Sequence, residues 1–201
     1  MQDSYKASEQ ASRAQSLYTA ISALTLVLIL VAEPIYSQSL FDSSLTFIAD
    51  LQSTISDPGF EIWRLYSDSI ALIIAAPILI SMLKFRERAR AFYYTLMLTS
   101  MLFVMNVGKL TYHQARPFWV SADIKAGSCS TQFGNPSGHS LFSMGAAVFT
   151  WLDYNALARV HADDGTLWTK WYTRAALLLV AVTYGLTIGY SRVVLGAHSW
   201  N

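Results

Sequence analysis

Charged side chains are scarce in this sequence: Asp, Glu, Lys and Arg make up 13% of its 201 residues, against about a quarter in an ordinary soluble domain. That scarcity excludes a disordered chain, which needs charge and little apolar content. It also excludes a nucleic-acid binder, because 14 Lys and Arg against 13 Asp and Glu leave a net charge of +1 and no field to attract a polyanion. Cysteine is nearly absent. Cys129 stands alone, so there is no internal disulfide framework, and nothing supports intermolecular pairing of the thiol. Metal-ligand clusters are missing too. The run His161-Ala-Asp163-Asp164-Gly165 has suitable residue types but reads as a solvated turn, since Asp-Gly is a turn signal. No repeat, low-complexity tract or linker divides the chain, and a single domain over residues 1–201 is expected.

What the sequence has in abundance is apolar: 53% of residues are hydrophobic and the mean hydropathy is +0.34. A helix crossing a bilayer needs roughly 17–25 mostly apolar residues. Five stretches meet or approach this, at about 17–36, 69–85, 91–108, 140–158 and 175–195. Pro77 is expected to kink the second, and Asp153 makes the fourth the weakest. The first lacks a small-x-small cleavage site and reads as an anchor rather than a cleaved signal. The expectation is an all-α, polytopic membrane helix bundle. Between the first two spans Phe41, Leu45, Ile48, Leu51 and Ile55 recur at helical spacing. That pattern suits an interfacial helix at 41–55 or an amphipathic core helix equally well. Trp and Tyr residues near the span ends, among them Trp63, Tyr66, Trp119, Trp151, Trp168 and Trp171, suit interfacial anchors.

If the five spans alternate, nine cations share one side: Lys6, Arg13, Lys84, Arg86, Arg88, Arg90, Arg159, Lys170 and Arg174. The other side has five: Arg64, Lys109, Arg116, Lys125 and Arg192. The positive-inside rule then sets the N-terminus in the cytosol and the 109–139 loop on the lumenal, periplasmic or extracellular side.

Three clusters fall at span ends on that outer side. Lys109-Leu-Thr-Tyr-His-Gln-Ala-Arg116-Pro117 follows the third span. If it is helical, Lys109 and Arg116 lie about 10.5 Å apart along one face and can converge on one anion. Gly134-Asn-Pro136-Ser137-Gly138-His139-Ser140 precedes the fourth span. There Ser137 is a candidate N-cap, and the free N–H groups after it make an anion site beside His139. Ser191-Arg192-Val-Val-Leu-Gly-Ala-His198 closes the fifth span, where an arginine against an apolar run is a functional candidate and Gly196 breaks the helix. Each cluster alone has an ordinary explanation: a snorkelling lysine, a capped helix, an arginine reaching outward. Together they supply three cations, a helix N-terminus and two histidines on one face, the makings of a phosphate or vanadate site with two titratable groups. His113 lies inside the first cluster and is expected to be structural.

Lys109-x6-Arg116-Pro117, Pro136-Ser137-Gly138-His139 and Ser191-Arg192-x5-His198 resemble, in order, the three-part signature of the type 2 phosphatidic acid phosphatase superfamily. That superfamily includes glucose-6-phosphatases and vanadium haloperoxidases. The resemblance implies that His198 is the nucleophile that forms a phosphohistidine. It implies that His139 is the general acid, and that Lys109, Arg116, Arg192, Ser137 and the Gly138 N–H hold the phosphoryl oxygens. No metal or other cofactor is implied, since three cations can stabilise the equatorial charge. The resemblance also implies an acidic residue four positions after His198 and a sixth membrane helix. The sequence ends at Asn201, so a domain truncated at its C-terminus is expected, with the sixth span beyond. The implied activity is a metal-independent, vanadate-sensitive phosphomonoesterase in the endoplasmic reticulum or plasma membrane, with membrane lipids and a phosphate ester as partners. A lipid phosphate suits a site at helix ends near the interface. Arg116-Pro117-Phe118-Trp119, and Cys129 upstream of Gly134, are somewhat similar to the glucose-6-phosphatase branch and keep a sugar phosphate as the alternative. A non-catalytic subunit of a larger membrane assembly is the third reading.

Overall fold

A computed structural model describes residues 2–83, 88–127, 130–160, 166–167 and 170–200. Cys129 and the 161–165 run lie outside them. The elements are α1 (Gln2–Thr54), α2 (Asp57–Asp68), α3 (Ile70–Leu83), α4 (Arg88–Tyr112), the short α5 (Pro117–Val120), α6 (Gly138–Val160) and α7 (Trp171–Val194). There is no strand among the described residues, and the expected all-α class holds.

Helices stand at all five places where spans are expected, but they are not equally fit to cross a bilayer. Arg88–Val120 and Trp171–Val194 are long and apolar enough, and a third span is added if Ala23–Ile29 and Val31–Thr54 count together. Helix α3 has 14 residues, about 21 Å of rise against a hydrocarbon core of roughly 30 Å. It stays helical through position 77, where the sequence suggested a kink. Helix α6 is long enough, at 23 residues, but carries Asp153. The cost of that carboxylate is offset at the opposite end of α4: Asp153 pairs with Arg90 Nε at 3.1 Å and accepts from the Tyr94 hydroxyl at 3.2 Å. Among the described residues two or three helices qualify as spans by length and composition.

The chain forms two compact units, residues 1–40 and 41–201. In the first, the helix turns Leu17, Leu24, Leu28, Val31 and Ile35 outward, as a lipid-facing segment does. In the second, residues 41–54 form the C-terminal part of α1, and protein covers one of its faces. Phe41, Ser44 and Ile48 are buried, and Ile48 packs with Ile124 and Val193 beside Leu45, Ala49 and Phe118. Of the two readings left open, this packing favours the core helix. The apolar stripe has a protein surface to cover, and Ser44 satisfies its hydroxyl locally on Phe41 O at 2.6 Å.

Candidate active site

The site sits where the C-terminal end of α4, the N-terminal end of α6 and the C-terminal end of α7 meet, with α3 along one wall. A cavity of about 320 Å³ there is lined by Lys109, Arg116, Gln132, Gly138, His139, Arg192 and His198, with Ile70, Ile74, Met105 and Phe142 as its apolar side. Three separated stretches of sequence are thus brought to one space.

The first pair of cations converges by a route the sequence did not suggest. Helix α4 ends at Tyr112, and His113 takes φ 47 in the left-handed region, a terminating conformation. Its N–H still bonds Lys109 O at 3.2 Å and its ring packs on Phe133 at 5.0 Å, so its role is structural, as expected. Pro117 then biases Arg116 to extended backbone, observed at φ −84, ψ 148. Lys109 and Arg116 therefore do not share a helix face. Instead both grip one loop residue: Lys109 Nζ donates to Gln132 Oε1 at 3.1 Å and to Phe133 O at 3.1 Å, and Arg116 Nε donates to Gln132 O at 2.7 Å. Both side chains belong to buried residues.

Ser137 caps α6 as expected, accepting from Ser140 N at 3.3 Å. It does not line the cavity; the Gly138 backbone and His139 do. The approach of this segment to α4 depends on Gly108, where a Cβ would lie 2.7 Å from Pro136 Cδ.

The third cluster is shaped by a Schellman ending. Gly196 N bonds Val193 O at 2.9 Å and Ala197 N bonds Arg192 O at 3.0 Å, with Gly196 at φ 64. The turn returns the chain to the cavity, which His198 lines as a buried residue. Gly196→Ala should therefore lower thermal stability by about 2 kcal/mol or more, from left-handed strain plus overpacking. Its new Cβ would sit 2.5 Å from Ile124 Cγ2. Melting curves and hydrolysis rates on the same sample check this, and both should fall.

His198 is held at both ring nitrogens. Nδ1 bonds the Gly134 carbonyl, which can only accept, so Nδ1 carries the proton and a neutral ring keeps its lone pair on Nε2. Arg116 NH1 faces that Nε2 at 3.4 Å and donates to Ala197 O at 2.9 Å. Burial, then Arg116 and Arg192, hold His198 well below its ordinary value of 6.5, against the opposing pull of the Gly134 bond. Among the described residues the Nδ1 partner is thus a backbone carbonyl, and main-chain acceptors leave no side-chain signature in a sequence. Gly134 is itself fixed by its N–H to Gln114 O at 2.8 Å.

Two more residues escaped sequence reading. Gln52 donates to Val194 O at 2.8 Å and Lys125 O at 3.1 Å and accepts from Lys125 N at 2.7 Å, pinning α1 to the end of α7. Ser67 accepts from Arg192 NH1 at 3.0 Å. No group of three or more His, Cys, Asp or Glu suited to a metal occurs among the described residues.

Comparison with known proteins bears on the same segment. The family model of the PAP2 superfamily matches residues 90–201. No curated protein and no solved structure matches the chain.

Proposed function

The chain belongs to the PAP2 superfamily, which indicates a phosphatase-type hydrolase, and we propose that it is a membrane-embedded phosphomonoesterase working through a phosphohistidine. The observation that carries this reading is the single cavity shared by Lys109, Arg116, Arg192, His139 and His198. Phosphoryl transfer asks for in-line placement and for cations around the equatorial oxygens, and this cavity gathers three cations beside two histidines.

In the first step the Nε2 lone pair of His198 attacks phosphorus, and the bond to the leaving oxygen breaks. The leaving oxygen takes a proton from His139. Arg116, Arg192 and Lys109, with the Gly138 N–H, hold the three equatorial oxygens as charge develops. In the second step water attacks phosphorus and gives its proton to His139. The N–P bond then breaks and returns its electron pair to Nε2. The Gly134 carbonyl holds the ring in the same tautomer throughout. Metal-independence follows from the three cations, and Ser137 contributes by capping α6 at the site.

A lipid phosphate is the substrate this cavity suits best. Its apolar wall continues past Ile74 into a second cavity of about 300 Å³ lined by Ala71, Ala75, Leu79 and Leu98, along which an acyl chain fits. Ser130 and Gln132 on the loop side of the phosphate cavity favour a hydroxylated leaving group as the second reading, a sugar phosphate. With five alternating spans, the positive-inside balance favours the non-cytosolic side for the site.

The test is reconstituted full-length protein with chelator present, assayed on phosphatidic acid, a sphingoid phosphate and glucose-6-phosphate. Hydrolysis of the lipids at least ~10-fold faster than the sugar ester, in kcat/KM, is expected if the apolar wall contributes even 1.4 kcal/mol. Preference for glucose-6-phosphate would replace the substrate assignment, and hydrolysis of none would refute the phosphatase reading.

A further inference from the structure

Arg192 owes its position to a residue far upstream of its own motif. Helix α2 lies along the C-terminal half of α7, held by Tyr66 Oη to Thr187 Oγ1, by Ser69 Oγ to Tyr184 Oη at 3.1 Å, and by an edge-on Trp63–Tyr190 pair at 5.5 Å. Trp63, Tyr66 and Ser67 lie three and four residues apart, on one face of α2. That face delivers the Ser67 hydroxyl to Arg192 NH1 at 3.0 Å. Both residues are buried, Ser67 fully and Arg192 to 4% exposure. Ser67 lies outside residues 90–201, the stretch matched by the family.

An arginine of this length has several rotamers, and ordering them costs free energy. A neutral acceptor on a separate, firmly docked helix selects one rotamer without neutralising the charge. The Asp68 carboxylate, next along the chain, acts on the same guanidinium through its charge, and the Ser67 hydroxyl supplies the directional bond. From this geometry we infer that Ser67 is a positioning residue, which aims Arg192 into the phosphate cavity without touching substrate. The inference rests on the phosphatase reading.

The test uses the full chain in detergent with three readouts: hydrolysis of p-nitrophenyl phosphate, affinity for orthovanadate, and the rate at which phenylglyoxal modifies Arg192, mapped by peptide mass. Ser67→Ala should lower kcat and vanadate affinity about 10-fold, the worth of one hydrogen bond to a charged group. Ser67→Thr, which keeps the hydroxyl, should restore most of both. The change should also expose Arg192 to phenylglyoxal several-fold faster and leave Arg116 as protected as before. In an Arg192→Ala background, Ser67→Ala should shift vanadate affinity by less than about twofold, because coupled residues are non-additive. The same loss in both backgrounds, or unchanged Arg192 protection, overturns the inference while leaving the phosphatase intact. A wild-type chain that neither hydrolyses nor binds vanadate overturns the phosphatase reading itself.

Discussion

His198→Ala should slow hydrolysis at least ~10³-fold, because removing a nucleophile removes the covalent route rather than weakening it. Vanadate and phosphate should still bind, since Lys109, Arg116 and Arg192 line the cavity and keep their bonds to Gln132, Ala197 and Ser67 without the ring. The pH dependence is a second signature. In the folded chain His198 is held below 6.5 by burial, Arg116 and Arg192, so the unfolded chain takes up a proton that the native ring refuses. Its linkage contribution is therefore fully retained above about pH 6.5 and declines as pH falls below it. Melting temperatures at pH 7.5 and pH 5 should differ more for wild type than for His198→Ala. Because burial, Arg116 and Arg192 oppose protonation of the ring, the acid limb of kcat/KM should not follow an ordinary histidine at 6.5. A variant that hydrolyses at the wild-type rate would remove His198 from the chemistry.

Arg116 should be the most costly of the three cations to replace, since it serves structure and chemistry together. Its guanidinium donates to Gln132 O at 2.7 Å and Ala197 O at 2.9 Å and faces His198 Nε2 at 3.4 Å. Arg116→Ala leaves two acceptors without their donor, at about 1–3 kcal/mol each when buried. A loss of about 2–5 kcal/mol in stability is expected, together with loss of hydrolysis. Arg116→Lys is the sharper variant. It keeps the charge but not the planar fork, so one carbonyl is left unbonded and kcat/KM should fall roughly 100-fold, the cost of one lost transition-state donor. Thermal melts and kinetics on the same preparations check both. If Arg116→Lys matched wild type in both, a point charge would suffice and the fork would have no role.

Much of this site was legible in the sequence because chemistry restricts the residue types there. Lys109, Arg116, Gly138, His139, Arg192 and His198 all line one cavity, as their placement at span ends suggested. The Ser137 cap and the break at Gly196 were readable from local rules, and both occur. What could not be read was how the groups are held together. Lys109 and Arg116 meet because His113 ends α4 and both cations bind Gln132; helical spacing alone could not reveal that chain reversal. The Gly134 carbonyl and the hydroxyl of Ser67 are generic groups whose partners are 64 and 125 residues away in sequence. Periodicity found the apolar face at 41–55 but could not say whether lipid or protein would cover it; Ile124 and Val193 do. Span number was the least secure expectation, because α3 is short and α6 balances a carboxylate with Arg90.

The most direct measurement is to trap the phosphoryl-enzyme. Full-length protein is mixed with ³²P-labelled phosphate ester in the presence of chelator, quenched under base within the first turnover, and mapped by peptide. Label on His198 that is acid-labile, base-stable and absent from His198→Ala is the expected result. Label on another residue, or turnover that appears only after a divalent cation is added, would contradict a metal-independent phosphohistidine route.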